Sequence, residues 1–322
     1  MITAQVKENK IVLKEMDDIK LDGRKGAIVK VLGCGLCGSD IVKFVHKIVK
    51  DGAVLGHEIT AEILEINSDT KFKTGDRIVT SHHIPCGECS FCKHGNVSMC
   101  KHFKETNIFP GGFSEKVFVS EEHLKNVAYL IPENMPEEEI SFYEPLGCCV
   151  RAIKRCALLK GDTALVVGLG SIGLLMGEGL KAMGYKVFGC DLIPERIELA
   201  NNMGIETFDF SREVDAVFMT SGADKAIDTA LKAVRQGGKI LVFSSTPLSS
   251  GYPNNEIYYK ELTVLGSYSP SPADLKDSYE LLTSGKVNVK GLTTVYPIEH
   301  VQEAFEDTMS NKIFKAYIKI SD

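Results

Sequence analysis

No block of lysine and arginine, no long uninterrupted apolar run, no tandem repeat and no low-complexity tract occurs in this chain of 322 residues. Each absence removes a class of function. With 37 basic against 43 acidic residues and a formal net charge of -6, the electrostatic footprint of a nucleic-acid binder is missing. The most apolar stretch, Ala164 to Leu180, is broken by five glycines and Glu178, which argues against a membrane span. The first residues, MITAQVKENK, carry no apolar signal stretch, so a reducing cytoplasm is the expected location and disulfides are not expected. What is left, 44% hydrophobic and 25% charged, is an ordinary globular composition on a chain long enough for two domains.

Against that plain background four cysteines stand out. Cys86, Cys89, Cys92 and Cys100 fall in PCGECSFCKHGNVSMC at offsets of three, three and eight. Two-residue gaps let a short turn point successive sulfurs at one ion, and a thiolate is a strong zinc ligand, so the four predict a closed tetrahedral zinc site. The residues between them, such as Gly87, Glu88, Lys93 and Asn96, are polar and loop-like, which is no core pattern. An iron–sulfur cluster fits less well, because the bacterial ferredoxin run closes with a three-residue gap and a proline, whereas here the gap is seven.

The rest of the chain divides by rhythm. Short β segments, Gly26 to Leu32, Glu58 to Ile66, Asp76 to Thr80 and Gly112 to Val119, predict a compact β-rich domain. From about Gly161 strand and helix patterns alternate, through TALVVGLG, SIGLLMGEGLKAMG, YKVFGCD, PERIELANNMG, VDAVFMT, KAIDTALKAVRQGG and KILVFSS, which predicts an α/β doubly wound parallel sheet. Gly184, Gly204, Gly237 and Gly238 are read as helix stops. Helices over Pro272 to Thr283 and Ile298 to Met309 and a strand FKAYIKI return the chain to the first domain. The expected division is 1–147 with 271–322, carrying the cysteine lobe at about 84–102, and a nucleotide-binding domain at 148–270.

In VVGLGSIG, Gly168, Gly170 and Gly173 form GxGxxG between a strand and a helix, with Ser171 and Ile172 inside it and Asp191 at the end of the next strand. That is the context a dinucleotide fingerprint requires: a tight turn, close backbone approach to a pyrophosphate, and close packing of helix on strand. An acidic residue at Asp191 accepts from ribose hydroxyls and repels a 2′-phosphate, favouring NAD over NADP, with Arg196 placed to lie over the adenine. Two further motifs bring soft sulfur, imidazole and carboxylate: GLCGSD supplies Cys37, Ser39 and Asp40, and GHE supplies His57 and Glu58. Together they match a zinc site that keeps one position for water or substrate, its third protein ligand coming from Glu144 in SFYEPLGCC, from Glu58, or from Cys148 or Cys149.

GLCGSD, GHE, the four-cysteine lobe, EPLG and VVGLGSIG, in that order, resemble the zinc-dependent medium-chain alcohol dehydrogenase family over nearly the whole chain. The glutamate in EPLG is similar to the sorbitol or polyol dehydrogenase branch, where liver-type enzymes carry cysteine. The resemblance implies a GroES-like catalytic domain beside a Rossmann domain, two zinc ions per chain, and substrate between the domains. It implies Cys37, His57 and Glu144 on catalytic zinc, Glu58 as a direct or exchanging ligand, and Asp40 orienting His57. It also implies a homodimer or homotetramer.

The expected reaction is hydride transfer between a secondary alcohol or polyol and NAD, giving a ketone. Zinc stabilises the alkoxide as a Lewis acid, and Ser39 passes the hydroxyl proton outward. One departure marks the relay: many members carry histidine three residues after the serine, and here Val42 stands there, with His46 as a candidate substitute. The segment from Ile41 to Leu55 carries Lys43, Lys47 and Lys50, which opens the alternative of a phosphorylated polyol. The same motifs are also compatible with threonine as substrate and with a non-catalytic zinc and nucleotide sensor. A zinc-free reductase would lack Cys37 and His57 together with the lobe cysteines.

Overall fold

The computed structural model describes residues 1–223, 225–244 and 253–321. Contacts divide the chain into two compact units: Met1–Glu144 with Ser271–Thr283 and Val289–Asp322, and Pro145–Pro270 with Ser284–Asn288. No described helix is long and apolar enough to cross a membrane.

The first unit opens with a hairpin, β1 (Ile2–Lys7) and β2 (Lys10–Glu15), and continues through β3 (Gly26–Gly35), helix α1 (Gly38–Val45), β4 (Glu58–Asn67) and β5 (Arg77–Thr80). The cysteine lobe follows, holding two short helices, α2 (Ser90–Lys93) and α3 (Lys101–Glu105). Then come β6 (Lys116–Ser120), α4 (Glu121–Asn126), β7 (Ala128–Leu130), α5 (Glu137–Ile140) and α6 (Tyr143–Cys156), the last of which leads into the second unit. Strand β3, GAIVKVLGCG, is buried at every position but Lys30 and pairs antiparallel with β4 along one edge and with β6 and β15 along the other. A strand covered on two sides reads as a continuous apolar run rather than an alternation.

The second unit starts with β8 (Thr163–Val167), α7 (Ser171–Ala182), β9 (Lys186–Cys190), α8 (Pro194–Asn202), β10 (Glu206–Thr207) and β11 (Val214–Met219). It continues with α9 (Lys225–Ala233), β12 (Val234–Val242), α10 (Asn254–Tyr259) and β13 (Thr263–Gly266). All six strands are parallel, in the order β10-β9-β8-β11-β12-β13. Counted from β8 that is 3-2-1-4-5-6, the Rossmann order, whose switch point lies between β8 and β11. Its core gathers Leu165, Val167, Val217, Met219, Ala230 and Ile240.

The chain returns to the first unit through α11 (Pro272–Thr283), β14 (Thr293–Pro297), α12 (Val301–Met309) and β15 (Lys315–Lys319). This completes a seven-stranded sheet, β14-β15-β3-β4-β5-β7 with β6 on β3. Phe305 of α12 meets Phe44 of α1 edge-on at 5.4 Å and Phe113 at 6.0 Å. Each such contact contributes about 0.5–1.5 kcal/mol beyond the area it buries.

Two sequence expectations need correction. The helix read over KAIDTALKAVRQGG stops at Ala233, and VRQGG belongs to β12, where Val234 pairs with Val214 of β11 across a register shift. Pairing within the sheet overrides local helical preference there, and of Gly237 and Gly238 only Gly237 takes a positive φ, +69°. The segment Gly112–Val119 is a strand only over Lys116–Ser120.

Candidate functional site

The lobe is self-contained. Cys89 is the N-cap residue of α2 and Cys100 that of α3, Cys92 lies within α2, and Cys86 lies just ahead of the bend that leads into it. The Sγ atoms lie 3.5 Å apart for Cys100 and Cys86, 3.6 Å for Cys89 and Cys92, and 4.0 Å for Cys86 and Cys92. Bonds of about 2.3 Å to one tetrahedral ion space sulfurs about 3.8 Å apart, whereas a disulfide needs about 2.05 Å. All four thiols are free and match the metal spacing. Burial raises the Cys100 thiol, but backbone N–H groups of Cys86 and Phe103 outweigh it and bring it down to about 6.

The second cluster is assembled by the sheet. Gly35, at the end of β3, pairs with Glu58, at the start of β4, so the chain leaves and re-enters the sheet at one place. Cys37 stands just beyond the departure and His57 just before the return. Cys37 is the N-cap of α1: its sulfur accepts from the Ser39 N–H at 3.5 Å and the Ser39 hydroxyl at 3.3 Å. Asp40, fully buried, closes the capping box by accepting from the Cys37 N–H at 3.4 Å. Its other oxygen accepts from the Gly56 N–H at 3.4 Å and lies 3.5 Å from His57 Nδ1. One helix cap thus aims the sulfur and clamps the imidazole together. Burial disfavours a charged His57, but the Asp40 carboxylate and Cys37 outweigh it and hold the imidazole well above its usual range.

Glu58 is 2% exposed, and its carboxylate is paired with the ammonium of Lys315 from β15, itself buried. Lys315 also donates to Leu36 O at 3.4 Å. Burial would lower the Lys315 pKa, yet Glu58 outweighs that and raises it. Glu58 Oε1, in contrast, is buried and has no hydrogen-bond partner among the described residues. A buried carboxylate oxygen without a donor costs free energy unless a cation meets it. The ligand atoms of Cys37, His57 and Glu58 all lie within 4.8 Å of one another, so the donor set fits a metal with a position to spare. Glu144, buried in the first turn of α6, stands outside that set, although its charge acts on Lys315.

The neighbour of His57 was not singled out by the sequence. The His82 ring lies 4.4 Å from that of His57 and 3.9 Å from that of His83, which in turn packs on Phe103 at 4.8 Å. Burial, with His57 and His83 beside it, holds His82 well below its usual range, and burial takes His83 down to about 4. Val42 is 46% exposed on α1, and His46, at its C-cap, is exposed as well. A groove of about 720 Å³, lined by Ile84, Pro85, Cys86, Glu122, Asn126 and Pro272 among others, lies on the lobe side and includes neither Cys37 nor His57. The donor chemistry, rather than the size of that groove, locates the site.

In the second unit the glycine turn sits at the switch point. Gly168 takes φ +96°, and a Cβ there would stand 2.8 Å from that of Ser221. A Cβ on Gly173 would strike the Gly168 carbonyl, so both positions demand glycine. Gly170 caps α7 and faces open space, its nearest neighbour being Arg196 at 3.9 Å from such a Cβ. Ser171, Ile172 and Gly173 form the first turn of α7, where free N–H groups attract a phosphate. Asp191 is held by the Leu169 N–H at 2.6 Å and the Ile193 N–H at 2.9 Å, with Arg196 Nη1 at 3.6 Å.

Residues 23–129 match the family described as "Alcohol dehydrogenase GroES-like domain", and residues 171–284 match "Zinc-binding dehydrogenase". The chain is 30% identical to a sorbitol dehydrogenase of Bacillus subtilis over 333 residues, covering 95% of this chain and 92% of that protein. It is also 30% identical to a probable D-xylulose reductase A of Aspergillus terreus, covering 95% and 96%. In fold it is similar to 2R,3R-butanediol dehydrogenase from Bacillus subtilis, with a TM-score of 0.86, 22% identity and 99% of each chain covered. A sensor role, a phosphorylated polyol and threonine are not favoured by these relatives. Sequence along nearly its whole length and fold in both units agree, and the chain belongs to the zinc-dependent medium-chain alcohol and polyol dehydrogenases.

Proposed function

We propose that this enzyme oxidises a secondary hydroxyl of a polyol with NAD and reduces the corresponding ketone in reverse. The observation that carries the reading is the convergence of Cys37, His57 and Glu58, with an orphaned Glu58 oxygen among them. The relatives named for sorbitol and xylulose supply the substrate class.

Cys37 and His57 would hold the metal, with Glu144 or Glu58 as the third donor, and the four lobe sulfurs would hold a second ion. When bound, zinc supplies a Lewis acid for the alkoxide and NAD a two-electron hydride acceptor. The chain's own part is positioning and proton handling. Asp40 fixes the His57 ring by its Nδ1 side, leaving the other nitrogen for the site. Ser39, exposed beside Cys37, offers a hydroxyl that donates to the Cys37 sulfur here and that would turn to donate outward as it accepts the substrate proton. With Val42 where a relay histidine would stand, that proton leaves to water or a cofactor hydroxyl. Asp191 would accept from the adenosine ribose hydroxyls and disfavour a 2′-phosphate, which makes NAD the cofactor ahead of NADP.

Metal content together with NAD and NADP reduction on sorbitol, xylitol, 2,3-butanediol, simple secondary alcohols, polyol phosphates and threonine tests the reading. Two zinc ions per chain and NAD-linked polyol oxidation are expected; lobe zinc alone with no turnover on any alcohol overturns it. The expectations of a homodimer or homotetramer and of a cytoplasmic location belong to the same proposal, checked by sedimentation and by fractionation.

A further inference from the structure

The His82 ring is packed between two other imidazoles and its nitrogens are unspent. It packs at a tilt between His57, 4.4 Å away at 45°, and His83, 3.9 Å away at 43°. His83 is fixed by its Nδ1 on Thr106 O and by its ring on Phe103. The His82 backbone is fixed too, since its carbonyl accepts from His123 Nε2 at 2.9 Å, and His123 is held by Ser120 at 2.7 Å. Yet His82 Nδ1 is buried without a hydrogen-bond partner, and neither ring nitrogen bonds any described residue. Buried polar atoms are nearly always satisfied, and one left alone costs about 1–3 kcal/mol. A ring held this firmly next to a metal-ligand candidate, with that cost outstanding, is built to be completed by something that enters the site.

We infer that His82 binds the substrate, hydrogen-bonding a second hydroxyl of the polyol next to the one that is oxidised. The inference rests on the polyol reading above and adds the residue that would tell a polyol from a monohydric alcohol. An imidazole nitrogen can donate to or accept from a hydroxyl, and a hydroxyl can do either, so the pairing is satisfied in both directions. A substrate lacking the second hydroxyl leaves His82 unpaired, and sites built to bond a hydroxyl reject analogues that lack it. His57 has no such freedom, because Asp40 holds one side and the Cys37–Glu58 cluster takes the other.

His82→Phe keeps an aromatic ring packed there and removes both nitrogens, and His82→Gln returns a donor and an acceptor. In zinc-loaded enzyme with NAD, kcat/KM is measured for sorbitol, xylitol and 2,3-butanediol beside 2-butanol. Polyol dissociation from the NADH complex is followed by nucleotide fluorescence, together with zinc content and Tm. His82→Phe should lower kcat/KM for the polyols about tenfold and weaken their binding by a similar factor, with 2-butanol changed by less than about twofold. Zinc content should stay at the wild-type value, and His82→Gln should recover part of the loss. Equal falls for polyols and 2-butanol, or no fall for either, overturn the assignment. If the wild-type enzyme turns over no polyol, the substrate reading itself fails; if it does and His82→Phe keeps the polyol preference, only the His82 assignment fails.

Discussion

The two donor clusters of the first unit are made in opposite ways. The lobe draws four like sulfurs from one short stretch, Cys86 to Cys100, and among the described residues no lysine or arginine, Lys93 within the stretch included, donates to any of them. The Cys37–His57–Glu58 cluster draws unlike donors from two sides of a strand pair and already holds internal counter-charges, Lys315 on Glu58 and Asp40 beside His57. A cluster of the first kind depends on its metal for order, because thiolates brought together without a cation repel. The second kind can keep its shape when empty, since the protein supplies the charges that a metal would otherwise balance.

The sharpest break of that contrast comes from removing one donor on each side. Cys37→Ala should cut turnover by at least about a thousandfold, since Lewis-acid stabilisation supplies several kcal/mol, while half the zinc and nearly all the stability remain. Activity within about tenfold of wild type would place the chemistry elsewhere. Cys89→Ser should do the reverse, releasing the lobe zinc and lowering Tm by roughly 10 °C, as expected when a structural metal stops contributing to folding. Should both ions leave together, as read by elemental analysis, the lobe is not independent of the other cluster.

A finer test separates loaded from empty protein. Lys315→Met strands the Glu58 carboxylate in a buried place, which costs about 3–5 kcal/mol when no other cation is present. Denaturant unfolding should show that loss in chelated protein and a smaller one with zinc, because a divalent ion beside Glu58 replaces the missing charge. Equal losses in the two states would mean that Glu58 answers to Lys315 alone.

The smallest effect concerns Asp40 and His57 in chelated protein. Burial disfavours both charges, but the pairing outweighs it, holding Asp40 below its ordinary 3.8 and His57 above its ordinary 6.5. A depressed carboxyl stabilises the fold above pH 3.8, and that contribution is lost as pH falls through its lower folded value; a raised imidazole stabilises fully below pH 6.5, and that is lost as pH rises through its higher folded value. Asp40→Asn should therefore cost about 1–2 kcal/mol between pH 4 and 6.5, with the gap narrowing on both sides. A gap of constant size from pH 4 to 9 would show that only the capping bonds matter.

How much of this was legible followed from distance along the chain. The lobe was readable because its four sulfurs are set by turns and helix starts within a few residues, and the glycine turn because strand, turn and helix are consecutive. Lys315 carried only a faint signal, a lysine at a buried position of FKAYIKI, and its partner lies 257 residues away. His82 had no such signal, because a histidine doublet says nothing of which ring will pack against His57 once β5 is in place. The N-terminal hairpin was missed for a local reason: it turns through Glu8 and Asn9 at φ 47° and 69°, with no glycine to announce it.

The pairing of Gly35 with Glu58 has one more consequence. Because the chain departs and returns at neighbouring points of a fixed register, the surface stretch between Val45 and Ala53 joins two anchored ends whatever its length. Lengthening a loop costs little in closure entropy, about 0.6 kcal/mol for each doubling. Insertions, deletions and changes of charge there can accumulate while the reacting groups keep their places.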